Sequence, residues 1–195
     1  MNPNRDHRPP GRPRDRAATA RILAAALDLV IRHGYEPVTT QMIARTAGVG
    51  KQTLYRRWTG KADLVLEALL ARARSEVDKP SAGAGGKTDL ETFLEQTVKA
   101  LKTTAPVLRS LMALAQGDEE LRRRFRENFI EPRRRVLTRV LETMGVTGAR
   151  EQDATTAVMF IYGSMWYRLL LDEPLDSAWA GRTANFVRRA LDTDR

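Results

Sequence analysis

Apolar residues recur at helical spacing along almost the whole chain, and the polar positions between them cut it into segments. From Ala17 to His33, the residues Ile22, Leu23, Ala26, Leu27 and Val30 share one face, with Arg21, Asp28 and Arg32 opposite. Gly34 ends this helix as a left-handed cap, and Tyr35 and Val38 follow as core residues of a short connection. Thr39 is a natural N-cap because its hydroxyl accepts an orphan backbone N–H. The helix it starts runs to Thr46, with Ile43, Ala44 and Ala47 inward and Gln41 and Arg45 outward. The stretch "AGVG" is a turn in which Gly48 takes a positive φ and Ala47 permits close helix approach. Lys51–Trp58 is then a short helix whose Leu54 and Trp58 face inward. Gln52, Thr53 and Arg56 face outward, with Lys51, Tyr55 and Arg57 on the flanks.

Everything after residue 60 also carries the helical period. Helices are expected over 61–78, 88–104, 106–116, 118–145, 148–172 and 177–192, with breaks at Pro106, Gly117, Gly145, Gly148 and Pro174. Pro132 should kink the 118–145 segment because it lacks a backbone donor. "SAGAGGK" (81–87) reads as a loop. No stretch alternates like a strand. The pattern predicts an all-α protein: a flexible basic arm (1–16), a three-helix head (17–60) and a larger helical body (61–195), about nine helices in all.

Charge sharpens this division. Residues 1–61 hold 12 Lys/Arg against 4 Asp/Glu, a net +8, whereas residues 62–195 hold 21 against 20, a net +1. A basic head on a near-neutral body is the footprint of a nucleic-acid contact made by the head, although a basic tail can also serve solubility alone. The basic run of 122–139 is read differently. Asp118–Arg122, Glu119–Arg123, Glu120–Arg124 and Glu131–Arg135 stand four apart with the acid first, which suggests a self-compensated solvent face.

Other chemistries find little support. There is no cysteine, so disulfides and thiolate metal sites are excluded. The two histidines, His7 and His33, lie in the arm and at a helix end. No phosphate loop or Ser/His/Asp set is suggested, and the expectation is a non-enzyme without cofactor or metal. The N-terminus lacks an apolar signal region and no run is long enough to span a membrane, so a cytoplasmic protein without a membrane partner is expected.

The stretch "GYEPVTTQMIARTAGVGKQTLYRRWTGKADLV" resembles the DNA-binding head of the TetR family of bacterial transcriptional regulators. The resemblance rests on Gly34-Tyr35, Thr39 four before Ile43-Ala44, Ala47-Gly48-Val49, Thr53-Leu54-Tyr55, Trp58, Lys61 and Leu64. It covers roughly residues 17–66. In the body, "GSMWYRLLLDEPLD" (163–176) is similar to the end of helix 8 in some members. Gly50 and Gly60 depart from the family pattern, which often has serine at both, and Thr40 stands where an aliphatic residue is usual.

In a helix-turn-helix, the second helix enters the major groove while the first crosses the backbone. Wheel geometry selects Gln52, Thr53 and Arg56 as base readers, whereas the resemblance implies Lys51, Gln52, Thr53 and Arg57; all five remain candidates. Tyr55 is a phosphate candidate by its place on the groove flank and by the resemblance, Lys61 by its place at the start of the next helix, and Thr39, Thr40, Gln41 and Arg45 by their place on the first motif helix. Arg12, Arg14 and Arg16 would follow the minor groove from the arm.

The segment "AVMFIYGSMWYRLLL" is apolar on nearly every face and needs more cover than one core provides. With the resemblance, it implies a homodimer through 148–172 and 177–192, using Val158, Ile161, Met165, Leu169, Trp179, Phe186, Val187 and Ala190. A two-fold dimer sets two reading helices about 34 Å apart on a palindromic or pseudo-palindromic operator in double-stranded DNA. The family also implies a cavity for an unknown small-molecule effector. Its candidate walls are Phe93, Val98, Leu101, Leu111 and Met112, then Phe125, Phe129, Met159, Tyr162 and Trp166. The expected function is a repressor released from its operator by that ligand. The alternatives are a small-molecule-binding helical protein and an effector-independent DNA-binding protein.

Overall fold

The computed structural model describes residues 13–77, 89–144 and 151–192, and the described residues are helical with no strand. The helices are α1 (Pro13–His33), α2 (Thr40–Ala47), α3 (Lys51–Tyr55), α4 (Lys61–Val77), α5 (Asp89–Gly117), α6 (Glu119–Phe125), α7 (Glu131–Thr143), α8 (Glu151–Leu170) and α9 (Ser177–Asp192). The expected loop at 81–87 and the breaks at Gly145 and Gly148 lie outside the described residues.

Two compact units divide between Ala68 and Leu69, inside α4 and later than the expected boundary at 60/61. The reason is local. The buried Trp58 indole donates from Nε1 to Glu67 Oε2 at 2.7 Å, and Leu64, Val65 and Leu66 are buried, so the start of α4 belongs to the head. The first helix corrects the arm. It begins at Pro13, a residue suited to a helix start, so Arg14 and Arg16 ride on α1 rather than on a flexible segment. Arg12 and His7 lie outside the described residues.

In the first unit α1 packs on α2 and α2 on α3, around Ile22, Ala26, Val30, Tyr35, Ile43, Leu54 and Trp58. Burying side chains of this size stabilises by roughly 1.5–3 kcal/mol each. In the second unit α5 packs against α6, α7, α8 and α9. Pro106 does not end α5, contrary to expectation; the helix runs through it, with Leu101, Val107, Leu108 and Leu111 buried on either side. Apolar burial on that face outweighs the single lost donor.

Pro132 acts differently from a simple kink. Residues Arg126–Ile130 form one π-helical turn, and Pro132 then falls in the first turn of α7, where its missing N–H has no intrahelical role. Side chains donate to carbonyls here: Asn128 Nδ2 to Arg124 O at 2.9 Å, and Arg133 Nη1 to Phe129 O at 2.8 Å.

The basic run is compensated in another register from the one expected. Asp118 caps α6 by accepting from Leu121 N, and Arg122 reaches the carbonyls of Ala115 and Gln116. Arg123 pairs with Glu120 and Glu127, and Arg134 with Glu131. Arg123–Glu120 and Arg134–Glu131 are three apart and Arg123–Glu127 four apart with the base first, while the cap withdraws Asp118 from its expected pair.

Candidate DNA-reading face and body cavity

The α2–α3 corner follows from its residues. Thr39 Oγ1 accepts from Met42 N at 3.1 Å, which starts α2. Gly48 ends it at φ 66° and ψ 41°, in the left-handed region. Its N–H donates to Arg45 O at 3.2 Å, and the Val49 N–H to Ala44 O at 3.0 Å. This paired closure is a Schellman motif, which turns the chain sharply and frees the next helix to leave at a steep angle. Arg21 Nε donates to Ala47 O at 3.2 Å and so fastens the end of α2 to α1.

α3 then presents Lys51, Gln52, Tyr55 and Arg56 as exposed side chains, with Thr53 half-buried and Leu54 inside. On α2, Thr39, Gln41 and Arg45 are exposed. The Thr40 and Tyr55 hydroxyls lie 3.0 Å apart, so a phosphate candidate from each helix meets at one point. The Lys51 ammonium sits 5.6 Å from the centre of the Tyr55 ring.

Two predicted DNA contacts are engaged elsewhere. The Arg57 guanidinium is half-buried and hydrogen-bonded to Thr19 Oγ1 on α1. Lys61 Nζ donates to Tyr35 O at 2.8 Å and to Glu36 O at 3.4 Å, and lies 3.9 Å from the centre of the Tyr35 ring. Both cations are thus fold-holding groups in this structure. Burial pushes the Tyr35 phenol up to about 12, helped by the negative charge of Glu36. Neither tie follows from spacing, since each joins residues far apart in sequence.

The body holds a partly open cavity of about 360 Å³. Of the ten wall residues predicted, Phe93, Leu101, Phe129, Tyr162 and Trp166 line it. Val98, Leu111 and Phe125 are buried in packing outside its wall, Met112 is half-buried away from it, and Met159 is 58% exposed. Helix direction explains the split. Phe93, Thr97, Ala100, Thr104 and Leu108 form one stripe of α5; Val98 lies on the neighbouring stripe, whereas Leu111 continues the first stripe beyond the end of the cavity. Thr97 and Thr104 were missed, although two hydroxyls on an otherwise apolar stripe were a legible signal. Each donates to the carbonyl one turn back, Phe93 O and Ala100 O, both at 2.9 Å. Arg72 and Arg133 were missed too; their sequence context reads as solvent-facing. Burial pushes Tyr162 up to about 12, against an opposing pull from Arg133 and Arg134.

The predicted dimer residues are corrected in the same way. Val158, Ile161, Met165, Leu169, Trp179 and Val187 are at most 4% exposed within the single chain, so their cover is their own core. Phe186 and Ala190 are exposed as expected. The apolar surface of these helices is instead formed by Met159, Phe160, Tyr167, Leu170 and Leu171 together with Phe186.

These elements define a helix-turn-helix head followed by a helical body that holds a partly open cavity. Residues 22–68 match the family described as "Bacterial regulatory proteins, tetR family", and residues 86–187 match "Tetracyclin repressor-like, C-terminal domain". The chain belongs to the TetR family, and it is a DNA-binding transcriptional regulator. It is 33% identical over 172 residues to the uncharacterized HTH-type transcriptional regulator YdeS of Bacillus subtilis, covering 86% of each chain. It is 29% identical to the DNA-binding transcriptional repressor TetR of Mycobacteroides abscessus, covering 91% of this chain and 95% of that one. The solved TetR-family transcription regulator SCO0332 superposes with a TM-score of 0.64 at 26% identity, covering 88% and 97%. Among the described residues, no helix is long and apolar enough to cross a membrane, and no cluster of side chains could hold a metal ion.

Proposed function

We propose that the chain is a homodimeric repressor that reads a palindromic or pseudo-palindromic operator and leaves it when a small molecule fills the body cavity. One observation carries the DNA reading: Lys51, Gln52 and Arg56 stand exposed on a short helix beside the Thr40–Tyr55 hydroxyl pair. Gln52 can pair bidentately with adenine, Lys51 or Arg56 with guanine, and the half-buried Thr53 can meet a thymine methyl. Thr39, Gln41, Arg45 and the paired hydroxyls then hold phosphates, with Arg14 and Arg16 on the first turns of α1 as further backbone contacts. A DNA partner supports a cytoplasmic location.

The dimer would form through the exposed row Phe160, Tyr167 and Leu170 of α8 with Phe186 and Ala190 of α9. A two-fold axis makes such a patch its own complement. Release needs an effector with different affinity for the DNA-bound and free arrangements. The cavity wall includes Leu69, Arg72 and Ala73 of α4, the helix that begins directly after the reading helix, so a bound molecule acts on that helix. The name of the Mycobacteroides abscessus relative supports repression as the direction of control.

The test is a gel shift on the chain's own upstream region across a salt series. Tyr55→Phe should weaken all sequences about equally, whereas Gln52→Ala should relax preference at one base position. If neither substitution changes binding, α3 is not the reading helix.

A further inference from the structure

We infer that Arg57 is a positioning residue for base reading: by holding Thr19 of α1 it fixes the tilt of α3, and with that tilt the base preference of Gln52. This rests on α3 being the reading helix, as proposed above, and adds what sets its orientation. α3 has only five residues and starts without a side-chain cap. A helix so short does not hold itself together, and its direction comes from what fastens its two ends. Before its start lies the Gly48 corner, where Arg21 Nε of α1 donates to Ala47 O at 3.2 Å. Just past its end Arg57 Nη1 donates to Thr19 Oγ1, again on α1. The reading segment is thus suspended between two ties to one helix. Leu54 and Trp58 are buried beneath it. Apolar burial is non-directional, whereas a hydrogen bond weakens steeply as its angle closes. The tie at Arg57 therefore supplies an orientation that the packing beneath α3 does not.

The lever is short but sufficient. Gln52 stands five residues before Arg57, about 7.5 Å along a helix axis. A tilt of about 10° around the Arg57 end carries Gln52 about 1.3 Å sideways. The hydrogen bonds of a base contact accept a distance window of only about 0.5 Å, so such a tilt breaks them. The phosphate candidates Thr39, Gln41 and Arg45 belong to α2 or its cap, whose far end Arg21 holds separately. Loss of the Arg57 tie should therefore cost base preference while sequence-independent binding survives.

The experiment measures fluorescence anisotropy of two labelled duplexes with the full-length protein across a salt series. One duplex is the fragment best retained from the chain's own upstream region, and the other is its shuffled sequence. The ratio of their dissociation constants is the readout. Thr19→Val keeps the side-chain shape and every charge but removes the acceptor. It should lower the ratio about tenfold, with shuffled-duplex affinity within about twofold and an unchanged salt slope. Thr19→Ser, which keeps the hydroxyl, should restore the ratio. Arg57→Gln should lower it at least as far as Thr19→Val, and the double variant should be no worse than Arg57→Gln alone. A ratio that survives Thr19→Val but falls with Arg57→Gln makes Arg57 a direct base reader and overturns the inference. Independent, multiplying losses overturn it too, as does an equal fall on both duplexes, which marks a backbone contact or a general loss of folded protein. If Thr19→Val does not fold by circular dichroism, Thr19→Ala takes its place; failure of both to fold makes the tie a folding contact only and overturns the inference. Gln52→Ala in the wild-type background separates the two readings. If it leaves the ratio unchanged, α3 is not the reading helix and the proposal above fails; if it lowers the ratio while Thr19→Val does not, only this inference fails.

Discussion

Replacing Gly48 by alanine isolates the backbone cost of the corner that sets α3. Gly48 lies at φ 66° and ψ 41°, and a Cβ built there meets no heavy atom within 4 Å. The penalty is therefore conformational, not steric. An L side chain in the left-handed region costs about 1–2 kcal/mol. Stiffening of the unfolded chain acts in the opposite, stabilising direction but is the smaller effect, since alanine at positive φ loses more than it gains. Net destabilisation of about 1 kcal/mol is expected, equivalent to a midpoint lower by about 2–4 °C for a chain of this size. Gly48→Asn should fall between, because asparagine tolerates the left-handed region. Gly50→Ser, two residues on, is the control of opposite sign. Its φ is −72°, a Cβ there also meets nothing within 4 Å, and α3 begins without a side-chain cap. Serine should stabilise by a few tenths of a kcal/mol. Thermal unfolding followed by circular dichroism reads all three. Gly48→Ala as stable as the wild type would mean that the chain does not turn through a left-handed residue here, and the account of how α3 is presented would be lost.

The remaining expectations follow from exposure and charge. Phe160→Asp, at a residue 63% exposed, should yield a folded monomer in sedimentation velocity, whereas Val158→Asp, at 1% exposed, should abolish folding. Lys61→Gln should lower stability by about 1–2 kcal/mol with little change in the salt dependence of DNA binding, because its ammonium is held by the Tyr35 carbonyl. Arg45→Gln, at an exposed phosphate candidate, should leave stability unchanged and reduce the salt slope by about one. Tyr35 and Tyr162 titrate near 12 in the fold, above their usual 10. Stability from keeping them protonated is full below pH 10 and is lost as pH rises through 12. Tyr162→Phe should remove part of the absorbance change at 295 nm centred near pH 12.

The head was legible almost residue by residue because its signals are local. Thr39 as a cap, Gly34 and Gly48 as left-handed stops, and the Leu54–Trp58 pair are each decided within a turn or two of chain. What was not legible lies in contacts between distant segments. Arg57 and Lys61 are long cations that reach either solvent or the fold, and only the nearby Thr19 hydroxyl and Tyr35 carbonyl decide which. Pro106 and Pro132 make the same point. Both lack a donor, yet one sits inside a long buried helix and the other follows a π turn. The outcome depends on how much apolar surface the neighbouring helices cover, which single-helix propensity does not contain.

The apolar helix α8 shows where periodicity stops being informative. Because it is greasy on almost every face, its sequence contains two interleaved stripes of nearly equal hydrophobicity. One, through Ala154, Val158, Ile161, Met165 and Leu169, faces the chain's own core; the other, through Phe160, Tyr167 and Leu170, faces out. A hydrophobic count cannot rank them, and the exposed stripe holds the larger aromatic groups. The bulky members are on the outside because the inner stripe must sit close to α5, α7 and α9, where there is room for aliphatic and small side chains. An exposed aromatic row of this kind is costly to leave in water, which is the physical reason to expect a second copy against it. The cavity obeys the same logic in reverse. Its Tyr162 and Trp166 lie on α8 between the two stripes, beside the inner and outer faces alike, so a change in what fills the cavity acts on the helix whose outer row would form the dimer.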